Sequence, residues 1–125
     1  PGLNGLVITE NDGVFRNDHL WLAPRRTIAV GYETATAAAP LMFEFEALAS
    51  RDGDKDGSAP LTVIVNGWAI ADHYVVPGDG FSYHKNYFLV PPPVVKAGRN
   101  TFGLRVANTA TTALWLRGIA IREAE

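Results

Sequence analysis

The carboxylates of Asp52, Asp54 and Asp56, spaced by Gly53 and Lys55 and followed by Gly57, are the densest set of potential metal ligands in the chain. D-x-D-x-D-G opens an EF-hand loop, in which oxygens at positions one, three and five point at calcium. The twelfth position, where a bidentate Glu belongs, is Val63, and no helical pattern flanks the loop. The EF-hand reading therefore fails. Two readings stand: a looser calcium loop on a β scaffold, with Asp52, Asp54 and Asp56 as ligands, or a solvated hairpin loop whose Asp and Gly serve turn geometry.

A second concentration is aromatic: Trp68, His73, Tyr74, Phe81, Tyr83, His84, Tyr87 and Phe88 lie close together in sequence. Sugar rings present apolar faces that stack on aromatic side chains, while their hydroxyls need polar groups at the rim. The stretch from Asp72 to His84 offers both and reads as a loop bent at Gly78 and Gly80. Long ordered loops are disproportionately functional. Asp72, His73, Tyr74, Asp79, Tyr83 and His84 are the expected ligand contacts, with Tyr74, Tyr83 and His84 standing clear of the core. The bland alternative makes the same rings a lid over an open sandwich end. Trp68, Phe88 and Phe102 are expected in the core.

Catalytic signals are weaker. No G-x-S-x-G elbow encloses Ser50, Ser58 or Ser82. Ser82 and His84 would share one face of a strand, which is more often coincidence than a dyad. His19, His73 and His84 lack metal-motif spacing. The expectation is a protein that is not an enzyme.

The elements that must position these groups are strands. Leu61-Thr62-Val63-Ile64-Val65 is apolar and β-branched, as a largely buried strand requires. Asn66-Gly67 interrupts it, a strong signal for a two-residue turn because both residues tolerate positive φ. Trp68-Ala69-Ile70 resumes the extended pattern. After Asn86-Tyr87-Phe88-Leu89-Val90, the prolines Pro91 to Pro93 must lie at an edge or outside the sheet. Ala97-Gly98-Arg99-Asn100 turns the chain into the strand Thr101 to Val106.

Earlier in the chain, Leu3 to Thr9, Val14-Phe15, His19 to Ala23 and Thr27 to Tyr32 read as strands separated by turn clusters. Leu41 to Ala49 alternates with period two, placing Phe43, Phe45 and Ala47 inward and Glu44 and Glu46 outward. Ala113 to Arg122 reads as a last strand. The passage Glu33 to Pro40 is alanine-rich, but its threonines, its shortness and Pro40 favour a loop over a helix. Eight or nine short strands without a long helix describe an all-β antiparallel β-sandwich of a single domain, residues 1–125.

The runs Val63 to Gly67, Tyr87 to Pro91 and Ala97 to Val106 resemble the galactose-binding-like jelly rolls, accessory β-sandwiches attached to many carbohydrate-active enzymes. The resemblance covers Leu61 to Ile121, and its motifs are turn chemistry. It implies a jelly-roll fold and a non-catalytic accessory module, most naturally carbohydrate-binding and extracellular. The competing reading is a structural or interaction β-sandwich packed against a neighbouring protein domain.

Composition narrows the partners. The 125 residues are 47% apolar and 19% charged, which describes an ordinary folded chain. A net charge of −2 argues against a nucleic-acid protein and against anionic membrane surfaces. Arg25-Arg26 is the only adjacent basic pair, and alone it makes no patch. With no cysteine, disulfides and thiolate sites are excluded. No apolar run approaches the length of a membrane span, about 18 residues. The first residues lack a basic region and a signal-type apolar segment, and the only methionine is Met42. A processed chain, or a piece of a longer one, is expected.

Overall fold

A strand that is apolar on one face must bury that face against another layer. The computed structural model describes residues 6–34, 39–49, 58–76 and 82–124, and two sheets supply the layers. The first holds β1 (Val7–Asn11), β4 (Thr27–Thr34), β6 (Leu61–Val65), β7 (Trp68–Tyr74) and β9 (Gly98–Val106), in the order β1-β4-β9-β6-β7. The second holds β2 (Val14–Phe15), β3 (Leu20–Leu22), β5 (Leu41–Ala49), β8 (His84–Val90) and β10 (Leu114–Glu123), in the order β2-β3-β10-β5-β8. Paired strands are antiparallel, and the chain passes repeatedly from one sheet to the other. This is the expected all-β antiparallel jelly-roll sandwich, with ten strands among the described residues where the sequence suggests eight or nine.

The core forms where the alternation predicts it. On β5, Leu41, Phe43, Phe45 and Ala47 are buried, while Met42, Glu44 and Glu46 are half-buried on the outer face. From the opposite sheet come Val63 and Val65 of β6 and Phe102, Leu104 and Val106 of β9. The Phe43 ring lies 5.2 Å from Phe102 across the sandwich and 5.6 Å from Phe45 along its own strand.

Several boundaries differ from expectation. β1 starts at Val7 and continues to Asn11, through residues that read as a turn. Asp72 to Tyr74 belong to β7, so the connection between the ring-bearing strands spans only residues 75–83. Trp68, expected in the core, is 65% exposed, because it opens edge strand β7 directly after a tight turn, paired with Val65 at the very end of β6. Gly98-Arg99-Asn100 begins β9, and the turns lie upstream, where Val94 N donates to Pro91 O at 3.0 Å and Val95 N to Pro92 O at 3.1 Å. The aspartates Asp52, Asp54, Asp56 and Asp79 lie outside the described residues, as do Leu3 and most of the alanine-rich passage.

At two positions the backbone requires glycine. Gly67 has φ 84 and Gly98 φ 90, and a Cβ at either would meet nothing within 4 Å. Gly67→Val and Gly98→Val should therefore act through backbone strain alone, costing about 1–2 kcal/mol each. Thermal melts of the two variants check this, and unchanged midpoints for both would contradict it.

Candidate functional site

The outer face of the second sheet gathers the richest chemistry among the described residues. Trp115 of β10 stands beside Trp21 of β3 as its cross-strand partner and beside Leu48 of β5 on the other side. The β2–β3 hairpin folds His19 onto this row, its imidazole stacked on Trp115 with ring centres 4.1 Å apart and planes 8° from parallel. His19 Nδ1 donates to Asp18 Oδ1 at 2.7 Å. A carboxylate can only accept, so Nδ1 carries the proton, and in the neutral ring Nε2 is an acceptor. The same imidazole holds the Asp18 carboxyl below the usual carboxylate value.

One row further along, Arg117 follows the inward Leu116 and so faces outward, at a bulge in β10 between Leu116 and Gly118. Its guanidinium lies 4.0 Å from the Tyr83 ring centre, and its Nε donates to Glu46 Oε1. That bond raises the Arg117 pKa above its ordinary value. The Tyr83 phenol is also pushed up, first by burial and then by the carboxylates of Asp18 and Glu46, against the opposing influence of Arg117. Three buried side-chain atoms, His19 Nε2, Tyr83 Oη and Trp115 Nε1, have no hydrogen-bond partner among the described residues. All three fall in this one cluster, and unpaired buried polar groups are rare enough to call for a cause.

Beside the cluster runs a trough of about 250 Å³ bordered by Glu44, Glu46, Lys85 and Arg117 over Gly118 and Ala120. Its depth comes from the two small residues of β10, which face long charged chains on β5 and β8. Glu44 sits 3.9 Å from Lys85 Nζ and 3.7 Å from Arg122 Nη1. Next to it on β8, Tyr87 is the cross-strand partner of Glu44 and presents its ring outward, 54% exposed. An exposed ring over alternating carboxylates and cations can stack on an apolar face and exchange hydrogen bonds with hydroxyls.

The residues expected to share one loop are divided by the sandwich. His84 opens β8, on the second sheet, and Tyr83 immediately precedes it. Asp72 and His73 lie on β7, on the first sheet, and line a different groove. Tyr74, expected to stand clear of the core, does not: its hydroxyl donates to Asn86 Oδ1 at 2.5 Å and its ring meets Phe88 edge-on at 4.9 Å. It clamps one sheet to the other, because the side chain points inward from β7. Asp79 lies outside the described residues.

Sequence reasoning did not single out Trp115, His19, Arg117 or Lys85. Period-two alternation does place Glu44 and Glu46 outward, but nothing in it says that Arg117 and Lys85 lie on the neighbouring strands.

The architecture is that of the jelly-roll β-sandwiches, and the solved structures it resembles include several carbohydrate-binding modules. The fold is similar to a family 35 carbohydrate binding module from an environmental isolate, at 18% identity and TM-score 0.61, covering 97% of this chain and 93% of that one. It is similar to the carbohydrate-binding module CBM36 in complex with calcium and xylotriose, at 12% identity and TM-score 0.64, covering 94% of each chain. The Podospora anserina GH26-CBM35 beta-(1,4)-mannanase also matches, at 14% identity and TM-score 0.65, over all of this chain and 27% of that one. At such identities the likeness is one of fold. No protein-family model matches the sequence, and no curated protein matches it.

Proposed function

We propose that this protein is a non-catalytic carbohydrate-binding module, a single unit accessory to a larger protein and working outside the cell, where polysaccharides are met. The observation that carries the reading is the trough on the second sheet bordered by Glu44, Glu46, Lys85 and Arg117, with the exposed Tyr87 as the cross-strand neighbour of Glu44. The carbohydrate-binding modules that share the fold support it. Tyr83 and His84, at the head of β8, are the expected contacts that border this face.

Affinity electrophoresis through gels containing xylan, mannan or galactan tests the reading. Tyr87→Ala should weaken retention about tenfold, the worth of one stacked ring, with the melting temperature nearly unchanged. Tyr74→Ala should do the reverse, lowering the melting temperature while retention persists. A folded wild-type protein that is retained by none of the three polysaccharides would sink the proposal.

Calcium enters through Asp52, Asp54 and Asp56. Among the described residues no group of three or more His, Asp or Glu gathers around a possible ion position. If the aspartate loop binds calcium, adding the ion should raise the melting temperature by mass action. Superimposable melting curves in calcium and in chelator would dispose of it.

A second reading, docking against a neighbouring protein domain, is favoured by one feature. Trp68, Tyr87 and Leu89 are exposed at 65%, 54% and 58% on the edge strands β7 and β8. Isolated large apolar side chains are common on surfaces, whereas a contiguous patch marks an interface. A defined dimer mass in solution that is lost in Trp68→Ser would favour this reading over the first.

A further inference from the structure

The outer face of the first sheet holds a groove of about 690 Å³, within the size range of small-ligand sites. Arg25, Thr62, Asp72, His73, Arg105 and Asn108 line it. Two of these residues occupy backbone that side chains normally avoid. Arg25 has φ 72, and Arg26 N donates to Ala23 O at 3.1 Å. With Pro24 before it, Arg25 fills the third position of a type II turn, where glycine or asparagine is the low-strain choice. The turn is pinned to β9, since Arg25 N donates to Val106 O at 2.9 Å and Val106 N to Arg26 O at 3.0 Å. His73 has φ 56 and lies in a bulge, where Asp72 and His73 together face Thr62 between the pairs Leu61–Tyr74 and Val63–Ala71. Bulge positions at positive φ are again glycine positions.

Among the described residues only one other non-glycine has positive φ, Asn66, in a tight turn that suits asparagine. The two residues at positive φ whose types suit neither their turn nor their bulge, Arg25 and His73, therefore line the same groove. Strain that persists at a site is a pointer to function.

The charges point to a class of ligand. Arg99, Arg117 and Arg122 each face a glutamate, and Arg16 lies over Trp21. Among the described residues, neither Arg25 nor Arg105 makes an ion pair. The one acid in the groove, Asp72, already accepts a hydrogen bond from Thr62 Oγ1 at 2.8 Å. Two guanidinium groups and an imidazole thus surround a single engaged carboxylate, on a chain whose net charge is −2. The planar guanidinium fork matches an oxyanion with two parallel hydrogen bonds.

We propose that this groove is a second ligand site, for the carboxylate or sulfate-ester group of an acidic polysaccharide. Arg25 and Arg105 take the oxyanion, while His73 and Asn108 meet neighbouring hydroxyls. The proposal shares with the reading above only a saccharide ligand, and different variants test the two faces.

Isothermal titration with polygalacturonate, dextran sulfate and unmodified dextran gives the test. Wild type should bind polygalacturonate or dextran sulfate, more weakly as salt rises, and ignore dextran; the polymer preferred identifies carboxylate or sulfate. Arg105→Gln and Arg25→Gly should each lose about tenfold or more in affinity, the worth of a charged hydrogen bond. Arg25→Gly should also melt no lower than wild type, since glycine relieves the turn. Arg99→Gln, on the same sheet but outside the groove, should bind the acidic polymer as wild type does. The proposal is overturned by wild type binding neither acidic polymer, by unchanged affinity in the Arg25 and Arg105 variants, by an equal loss in Arg99→Gln, or by equal affinity for a DNA oligonucleotide.

Discussion

Phe43→Ala should destabilise the sandwich by about 3–5 kcal/mol, the usual cost of removing a buried ring. Phe43 is fully buried on β5 and touches rings on both layers, Phe45 beside it and Phe102 opposite. Its backbone cross-strand partners are Ile121 of β10 and Phe88 of β8. A hydrogen-bonded sheet on either side of the vacated ring cannot collapse readily, so most of the cavity should persist. Neighbouring outward positions provide the contrast: Met42→Ala, on the same strand but half-buried, should cost well under half as much. Chemical denaturation of the two variants decides the matter. Equal midpoints for Phe43→Ala and Met42→Ala would mean that the inward and outward faces of β5 are misassigned.

That assignment was legible from residue order alone. Phe43, Phe45, Val63, Val65, Phe102, Leu104, Val106, Leu114 and Leu116 are all buried, because period-two alternation reports which face of a strand is dry without reference to its partners. Ile119 is buried as well, returned to the inner face by the bulge between Leu116 and Gly118. The same signal is silent about which strands pair. Arg117 meets Glu46 and Tyr83 only because β10 lies beside β5, which in turn lies beside β8. Asp72 and Tyr83 are near in sequence and stand on opposite sheets, because the chain crosses the sandwich between them. Arg25 and Arg105 behave the opposite way: the adjacent pair Arg25-Arg26 makes no patch in sequence, and β9 brings Arg105 to the same groove. Strain at Arg25 was half visible, since Pro24 marks a turn. The identity of the residue at positive φ needed the structure.

The turn motifs hold a further lesson, and with it the second large effect. Asn66-Gly67 and Gly98-Arg99-Asn100 read as two separate turns, yet they form one hydrogen-bonded unit. Asn66 Nδ2 donates to Asn100 Oδ1 at 2.8 Å and to Val94 O at 2.8 Å, while Asn66 Oδ1 accepts from Thr101 N at 2.9 Å. Asn100 is fully buried; its Oδ1 also accepts from Lys96 N at 2.9 Å, and its Nδ2 donates to Lys96 O at 2.9 Å and Gly98 O at 3.3 Å. A carboxamide offers two donors and a separate acceptor oxygen without charge, and this site uses all three. Asn100→Ala should strand several buried partners at once and cost roughly 2–4 kcal/mol, since each unsatisfied group costs about 1–3 kcal/mol. Asn100→Asp keeps the acceptor but puts a buried charge against two carbonyl oxygens, so it should be worse than alanine at neutral pH. Burial and those carbonyls would raise the folded-state pKa of the new carboxyl above its unfolded value. The folded state then binds the proton more tightly, so stability should return as pH falls through that raised pKa and be lost again as pH rises. Denaturant titrations of both variants at acid and neutral pH provide the check. An Asn100→Ala protein as stable as wild type, or an Asn100→Asp protein indifferent to pH, would show that the two turns are held independently.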